Sequence, residues 1–182
     1  MGIRIIAGEF GGRRLEAPPG RETRPTSDRV REALFSILGS MDELVVLDVY
    51  AGSGALGLEA LSRGATRATF IDQSRLAIAT LRKNIATLEL GDRCEVVQDS
   101  AVRALNRSMA PVDLVFADPP YADLARAAPL LEQLAKRSAL AKGARIVVEH
   151  RSTDRPELPS FELAPTRIYG DTALTLGQLR GA

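Results

Sequence analysis

Four consecutive residues, Asp118-Pro119-Pro120-Tyr121, follow an apolar run and bring together types that amine chemistry can use. An exocyclic amine on a purine is a poor nucleophile because its lone pair is delocalised into the ring. Two acceptors, the Asp118 carboxylate and the Pro119 carbonyl, can take hydrogen bonds from its two N–H groups and turn the nitrogen toward tetrahedral geometry. The lone pair is then free for in-line attack. Two prolines in succession fix φ and pre-position those acceptors. The Tyr121 ring suits stacking on a base and the neighbourhood of a cationic centre. A carbon-5 attack on a pyrimidine would need a cysteine beside the motif. The single cysteine, Cys94, instead opens an apolar run. With one histidine, His150, and one cysteine, no clustered metal site is expected. His150, beside Glu149, reads as structural.

A second constellation is Asp48-Val49-Tyr50-Ala51-Gly52-Ser53-Gly54-Ala55-Leu56-Gly57. Glycines at a strand-to-helix turn permit positive φ and let backbone amides approach a ligand. Asp72 follows Gly52 by twenty positions, where a carboxylate accepts from both ribose hydroxyls of an adenosine. Asp99 closes the next strand. Gly52, Gly54 and Gly57 also match G-x-G-x-x-G, so NAD is an alternative. Three features favour S-adenosylmethionine: Asp48 before the loop, suited to the cofactor's ammonium; a C-terminal antiparallel hairpin; and no second domain for a hydride acceptor.

These residues need a scaffold that brings them to one edge. Apolar runs alternate with helical patterns: strands at Leu44 to Asp48, Ala68 to Ile71, Cys94 to Val97, Leu114 to Ala117 and Ala144 to Glu149, with helices at Leu56 to Arg63, Arg75 to Leu88, a short one after Ser100, and Leu124 to Arg137. Continuous rather than alternating apolar strands imply a parallel sheet covered on both faces, a doubly wound α/β fold. Phe161 to Tyr169 and Thr172 to Leu179 flank Gly170-Asp171, and so short a turn requires an antiparallel hairpin. Residues 3 to 17 read as a further hairpin, followed by a Pro/Gly/Arg-rich linker to Pro25. Thr26-Ser27-Asp28 offer helix caps, with Val30, Ala33, Leu34, Ile37 and Leu38 on one face. The expected division is 1–25, hairpin and linker, and 26–182, the α/β domain.

The 182 residues carry a net charge of +1, so a nucleic acid would have to be met by a local patch. Arg4, Arg13, Arg14, Arg21, Arg24, Arg29 and Arg31 stand against four carboxylates, an excess of +3 in the first 31 residues. The start lacks a signal peptide's apolar run, no stretch is long enough to span a bilayer, and a lone cysteine fits a reducing compartment, so a cytoplasmic location is expected.

The chain resembles the RsmD family of bacterial 16S rRNA (guanine-N2)-methyltransferases. The likeness runs through Arg4 to Gly8, Arg24 to Phe35, Tyr50 to Gly64, Asp118 to Tyr121 and Tyr169 to Thr172, of which Arg24-Pro25-Thr26-Ser27-Asp28-Arg29-Val30-Arg31-Glu32-Ala33-Leu34-Phe35 is the most specific. Tyr50 stands where Phe is common and Asp72 where Glu is frequent. The resemblance implies a class I S-adenosylmethionine-dependent methyltransferase: a Rossmann-like, mostly parallel sheet with a C-terminal antiparallel hairpin and a short N-terminal hairpin. The cofactor would lie against Asp48, Tyr50, Ala51, Gly52, Ser53, Gly54, Asp72, Gln73, Ser74, Asp99, Ser100 and Asp118, with Asp72 on ribose and Asp99 on the adenine amine. Asp118, Pro119, Pro120 and Tyr121 would hold the target base. Arg4, Arg13, Arg14, Arg24 and Arg29 would meet 16S rRNA, within the small ribosomal subunit, the enzyme acting as a monomer without metal or membrane. A DNA adenine-N6 methyltransferase, a glutamine methyltransferase and a non-catalytic cofactor-binding ribosome-assembly module are the competing readings.

Overall fold

The computed structural model describes residues 3–19 and 28–181. In chain order the elements are β1 (Ile3–Arg4), β2 (Arg14–Leu15), α1 (Asp28–Leu38), β3 (Val45–Val49), α2 (Ala55–Ser62), β4 (Arg67–Asp72), α3 (Arg75–Thr87), β5 (Cys94–Gln98), α4 (Ala101–Leu105), β6 (Val112–Ala117), α5 (Leu124–Lys136), β7 (Leu140–Arg151), β8 (Phe161–Leu163), β9 (Arg167–Tyr169) and β10 (Thr172–Leu179). The main sheet runs β5-β4-β3-β6-β7-β10-β8, with β9 also on β10. Its first five strands are parallel. β10 lies antiparallel between β7 and the β8/β9 pair. The doubly wound α/β sheet with an antiparallel C-terminal end is therefore as expected.

β3 shows why continuous apolar runs mark such strands. Val46, Leu47 and Val49 have no exposed surface, because helices cover both faces. On one face α1, α2 and α3 pack with the N-terminal hairpin, whose Ile3, Ile5 and Leu15 join the same core as Leu34, Phe35, Leu58 and Phe70. On the other, α4 and α5 cover Leu47, Ile71, Val115 and Val148.

Three local features depart from the sequence expectation. In α1 the buried positions are Val30, Arg31, Leu34, Phe35 and Leu38, while Ile37 is 40% exposed. The inward stripe is rotated because the Arg31 guanidinium can be housed, donating to Asp28 Oδ1 at 2.8 Å and to the Arg4 carbonyl at 2.6 Å. The Thr26 and Ser27 caps and the 25/26 boundary lie outside the described residues. Next, β7 begins at Leu140 rather than Ala144, since Gly143 adopts φ +74 within the strand beside a register shift against β6. Lys142-Gly143, outside the strand expected from Ala144, is an irregularity inside a ladder. Last, the run from Phe161 to Tyr169 is two short strands. Leu163 pairs with Gly177 and Arg167 with Leu174, so three residues oppose two, and Pro165, which has no N–H, sits in that bulge.

Side chains also close the helix ends. Arg93 donates to the Leu61 carbonyl at 3.0 Å and to the Ala65 carbonyl beyond α2. Arg145 donates to the Leu38 carbonyl that ends α1. Orphan C-terminal carbonyls are satisfied by cations, which the helix dipole favours. No described helix is long and apolar enough to cross a membrane.

Candidate active site

The sheet order reverses at β3, which pairs with β4 on one side and β6 on the other. Val49 is registered with both Ile71 and Ala117, so the chains leaving β3, β4 and β6 emerge side by side. Such a switch point is where open α/β sheets bind ligands. The amide of Asp118 donates to the Val49 carbonyl at 3.4 Å, tying the Asp-Pro-Pro loop to the root of the glycine loop.

Between Val49 and Ala55 the backbone turns left-handed three times, at Tyr50 (φ +65), Gly52 (φ +57) and Gly54 (φ +80). Tyr50 is the instructive one, since a bulky residue in that region costs roughly 1–3 kcal/mol and survives only where its surroundings impose it. They do: Ala51 N donates to the Ile71 carbonyl at 3.0 Å, Gly52 N to Asp72 Oδ2 at 2.9 Å, and Gly54 N to the Ala51 carbonyl at 2.7 Å. Gly57 serves packing instead. A Cβ there would lie 2.4 Å from Phe70 Cε1, so only glycine lets α2 sit down on β4.

Asp48 is under the loop rather than open to it. It is 2% exposed and its Oδ2 accepts from Gly57 N at 2.9 Å. Burial pushes its carboxyl from the ordinary 3.8 up to about 8, against the hydrogen bond from Gly57, which lowers it. The folded chain therefore holds a proton that the unfolded chain has released between those values. The resulting stability is complete below pH 3.8 and lost as pH rises through about 8. Asp48→Asn keeps an acceptor for Gly57 and removes the titration. The variant is expected to melt a few degrees above the parent at pH 9, with the gap narrowing continuously from about pH 8 through pH 6 toward pH 3.8. Parallel melting curves across that range would assign the pH dependence elsewhere.

Asp72 is 5% exposed, with Oδ2 on Gly52 N and Oδ1 on Ser74 N at 2.8 Å. A carboxylate has about four lone-pair sites, so two remain for hydroxyl donors while the backbone bonds fix its plane. Tyr50, Ile71, Asp72, Gln73, Asp99 and Ser100 line a cavity of 160 Å³. That is smaller than the roughly 300–1,000 Å³ of a whole ligand site and fits one flat ring system with carboxylates at its rim. Burial, and then the charge of Asp123, raises the Tyr50 hydroxyl. The residues present thus suit an adenosine.

Ser74 and Ser100, expected against the cofactor, also have a local role. Each caps a helix, Ser74 Oγ accepting from Ala77 N and Ser100 Oγ from Arg103 N, both at 3.3 Å. Asp99 is 9% exposed and held by Arg103 Nε at 2.6 Å, Arg107 Nη2 at 2.8 Å and Ser100 N. The Arg103 hydrogen bond first, then that from the Ser100 amide and the charges of Arg103 and Arg107, keep the Asp99 carboxyl below its usual range against the effect of burial. Gln73 is exposed.

In the Asp-Pro-Pro loop Pro119 is buried, whereas Asp118 and Pro120 are exposed at the edge. Tyr121 opens a single 3₁₀ turn closed by Asp123 N on the Pro120 carbonyl at 2.7 Å. The stacking expected of the Tyr121 side chain lies outside what the structure describes.

The described N-terminal arginines differ in exposure and pairing. Arg14 and Arg29 are exposed, and Arg4 is exposed but paired with Asp28 at 2.7 Å. Arg13 reaches the Thr87 carbonyl at 3.4 Å, at the C-terminal end of α3 and hence away from the catalytic edge. Arg31 is 1% exposed and cannot face a partner. Arg24 lies outside the described residues. His150 is buried, with Nδ1 on the Arg151 carbonyl and Nε2 on Thr175, and burial depresses its basicity. Burial also pushes the Cys94 thiol up to about 12. No group of three or more His, Cys, Asp or Glu among the described residues is placed to hold a metal.

Two buried polar residues that hold the N-terminal segment were missed. Glu59, with no exposed surface, accepts from Ile6 N at 2.6 Å and Ala7 N at 3.1 Å. Asn84, 2% exposed, bonds both the N-terminal segment and Ser53. Both were visible as strongly polar residues on mainly apolar helix surfaces.

Comparison with known proteins agrees with this geometry. Residues 3–178 match a family model described as conserved hypothetical protein 95. The Bacillus subtilis protein YlbH, assigned as an rRNA methyltransferase, is 38% identical over 98% of this chain and 100% of its own. Ribosomal RNA small subunit methyltransferase D of Escherichia coli is 48% identical over 65% of this chain and 60% of its own. A solved Escherichia coli structure, yhhF, assigned as a methyltransferase, superposes with a TM-score of 0.89 at 37% identity, covering 100% of both chains. A Salinibacter ruber RNA methyltransferase solved with S-adenosyl-L-homocysteine shares the fold at a TM-score of 0.65 and 16% identity. With the family model covering nearly its whole length and the sheet reversing where a nucleoside cofactor is held, the chain belongs to the RsmD family of S-adenosylmethionine-dependent methyltransferases.

Proposed function

We propose that this methyltransferase modifies the exocyclic N2 of a guanine in 16S rRNA, in the cytoplasm and within the small ribosomal subunit. The observation that carries the reading is the pairing of Val49 with Ala117, from which the glycine loop and the Asp118-Pro119-Pro120 loop leave as neighbours. It supports a methyl donor and an amine acceptor meeting at one edge. The cofactor, when bound, supplies an electrophilic methyl group on a sulfonium. Tyr50 to Gly54, Asp72, Gln73, Asp99 and Ser100 would hold it, with Asp48 beneath the loop. Asp118 and the Pro119 carbonyl would accept from the two N–H groups of the amine and keep its lone pair directed at the methyl. The names of relatives such as the small subunit enzyme of Escherichia coli support rRNA over DNA.

The test is transfer of a radiolabelled methyl group to small subunits, naked rRNA and duplex DNA, followed by nucleoside analysis. N2-methylguanosine from the ribosomal substrates is the expected product, and N6-methyladenine from DNA would sink the reading.

RNA binding by the exposed N-terminal arginines gives a separate expectation. Arg4→Ala with Arg14→Ala should weaken rRNA binding and lower the slope of log affinity against log salt by about 0.7 for each single-strand phosphate that is no longer neutralised. Arg13→Ala should do less, since its guanidinium is turned to Thr87. An unchanged slope in the double variant would put the RNA surface elsewhere.

A further inference from the structure

We infer that Asn84 couples the N-terminal segment to the cofactor loop, so that holding one orders the other. The amide side chain of Asn84 makes three bonds, which use both of its donors. Its Oδ1 accepts from Glu16 N at 2.8 Å, and its Nδ2 donates to the Glu16 carbonyl at 3.1 Å and to the Ser53 carbonyl at 2.9 Å. Toward Glu16 it thus imitates a neighbouring strand, engaging both backbone groups of one residue. Toward the site it fixes the carbonyl of the Ser53–Gly54 peptide, whose N–H is fixed from the other end by the Ala51 carbonyl.

That peptide decides the shape of the loop. Gly54 carries φ +80 and its Cα is pressed against Leu81 of the same helix, α3, where a Cβ would come within 2.3 Å. If the Ser53 carbonyl is released, the peptide can rotate, and the left-handed turn at Gly54 that sets the start of α2 loses its restraint. The other bonds of the loop, to Ile71 and Asp72, stay within the sheet edge, whereas the Asn84 bond leads out to the N-terminal segment. Among the described residues two other polar links join that segment to α3, both between exposed groups: the Arg13 guanidinium on the Thr87 carbonyl at 3.4 Å, and Lys83 to Glu16 at 3.4 Å, whose side chains are 66% and 62% exposed. Exposed pairs of that kind contribute little. Asn84 therefore carries the connection, as a positioning residue.

The consequence rests on the proposed reading of the N-terminal segment as RNA-facing. RNA that orders the segment would order the cofactor loop through Asn84, and bound cofactor would raise RNA affinity by the same factor.

The linkage itself is tested without RNA, so its failure and the failure of the rRNA assignment are distinguishable. S-adenosylhomocysteine binding to the full chain is measured by calorimetry for the parent, Asn84→Asp and Glu16→Pro, alongside amide exchange of residues 13–19 with and without that ligand. Asn84→Asp keeps the acceptor for Glu16 N but faces two carbonyls with a carboxylate. It should weaken ligand affinity by about 3- to 10-fold, the range expected for losing a buried hydrogen bond. Glu16→Pro, which leaves Asn84 in place but removes the N–H on the segment's side together with the exposed Glu16–Lys83 pair, should weaken it by about 2-fold on the same scale. In the parent, ligand should slow exchange across residues 13–19, and in Asn84→Asp that slowing should vanish. Equal affinity in parent and variants, or exchange in the parent that ignores the ligand, would overturn the inference. If Asn84→Asp does not fold, Glu16→Pro and the parent's exchange decide it alone.

Discussion

Replacing Asp118 by alanine should lower the rate of methyl transfer by about 10²–10³-fold while S-adenosylhomocysteine affinity stays within about twofold of the parent, the pattern of an interaction made chiefly on the way to the transition state. The separation follows from where the residue sits. Its backbone is fastened to Val49 and the following Pro119 is buried, so truncating the exposed carboxylate leaves the loop seated. The cavity walls that suit an adenosine, Ile71, Asp72 and Asp99 among them, belong to other strand ends. What is lost is one of the two acceptors that hold the amine hydrogens. Asp118→Asn, which retains a carbonyl oxygen in the same place, should keep an intermediate rate. Single-turnover transfer of labelled methyl to small subunits, with calorimetry of the cofactor product, reads both quantities. An alanine variant at the parental rate would show that the amine is activated by some other group.

The sequence carried the architecture because parallel strands covered on both faces leave a plain signature. The five apolar runs from β3 to β7 could be aligned only as a parallel sheet, and the Gly170-Asp171 turn required the antiparallel end. The strand-end positions of Asp72, Asp99 and Asp118 were legible for the same reason, since a residue that ends a parallel strand must lie at the ligand edge. What each polar atom does there was not legible. Residue type makes Ser74 and Ser100 equally good ligands or caps, and the structure shows that their hydroxyls cap the helices that start immediately after them. Asp48 had the right type and place for an ammonium, but whether it lies above or below the loop depends on Gly57 letting α2 close over β3 and β4. Charge counting along residues 1–31 gave Arg31 the same weight as Arg14. The fold buries the first against Asp28 and leaves the second exposed. Asp99 with Arg103 was open to reading, being four apart across a helix start.

Glu59→Ala should destabilise the chain by about 3–5 kcal/mol, the range for breaking a buried ion pair by removing one partner. α2 is buried from Leu56 through Ser62, so its one acid has no route to water and must be satisfied by protein. It is satisfied three times over: by Arg63 Nε at 2.7 Å and by the amides of Ile6 and Ala7. Alanine leaves those two backbone donors without an acceptor, each at about 1–3 kcal/mol, and strands a guanidinium that is 20% exposed and held over the Phe35 ring at 4.9 Å. The loss also reaches the N-terminal hairpin. Gly8 lies so close to Ser62 that a Cβ would fall 1.9 Å from its carbonyl oxygen, and Ser62 Oγ both donates to the Ala7 carbonyl and accepts from Phe10 N. Those groups align only while Glu59 holds Ile6 and Ala7 in place. Glu59→Gln should do less harm, since its carbonyl can still accept from an amide, although its NH₂ then meets a second donor. Urea unfolding of parent and both variants measures the effect, and tryptic cleavage at Arg13 and Arg14 under native conditions should accelerate in Glu59→Ala. A loss below about 1 kcal/mol, within the range of an ordinary surface change, would mean that the hairpin is anchored by its apolar residues Ile3, Ile5 and Leu15 and not by this acid.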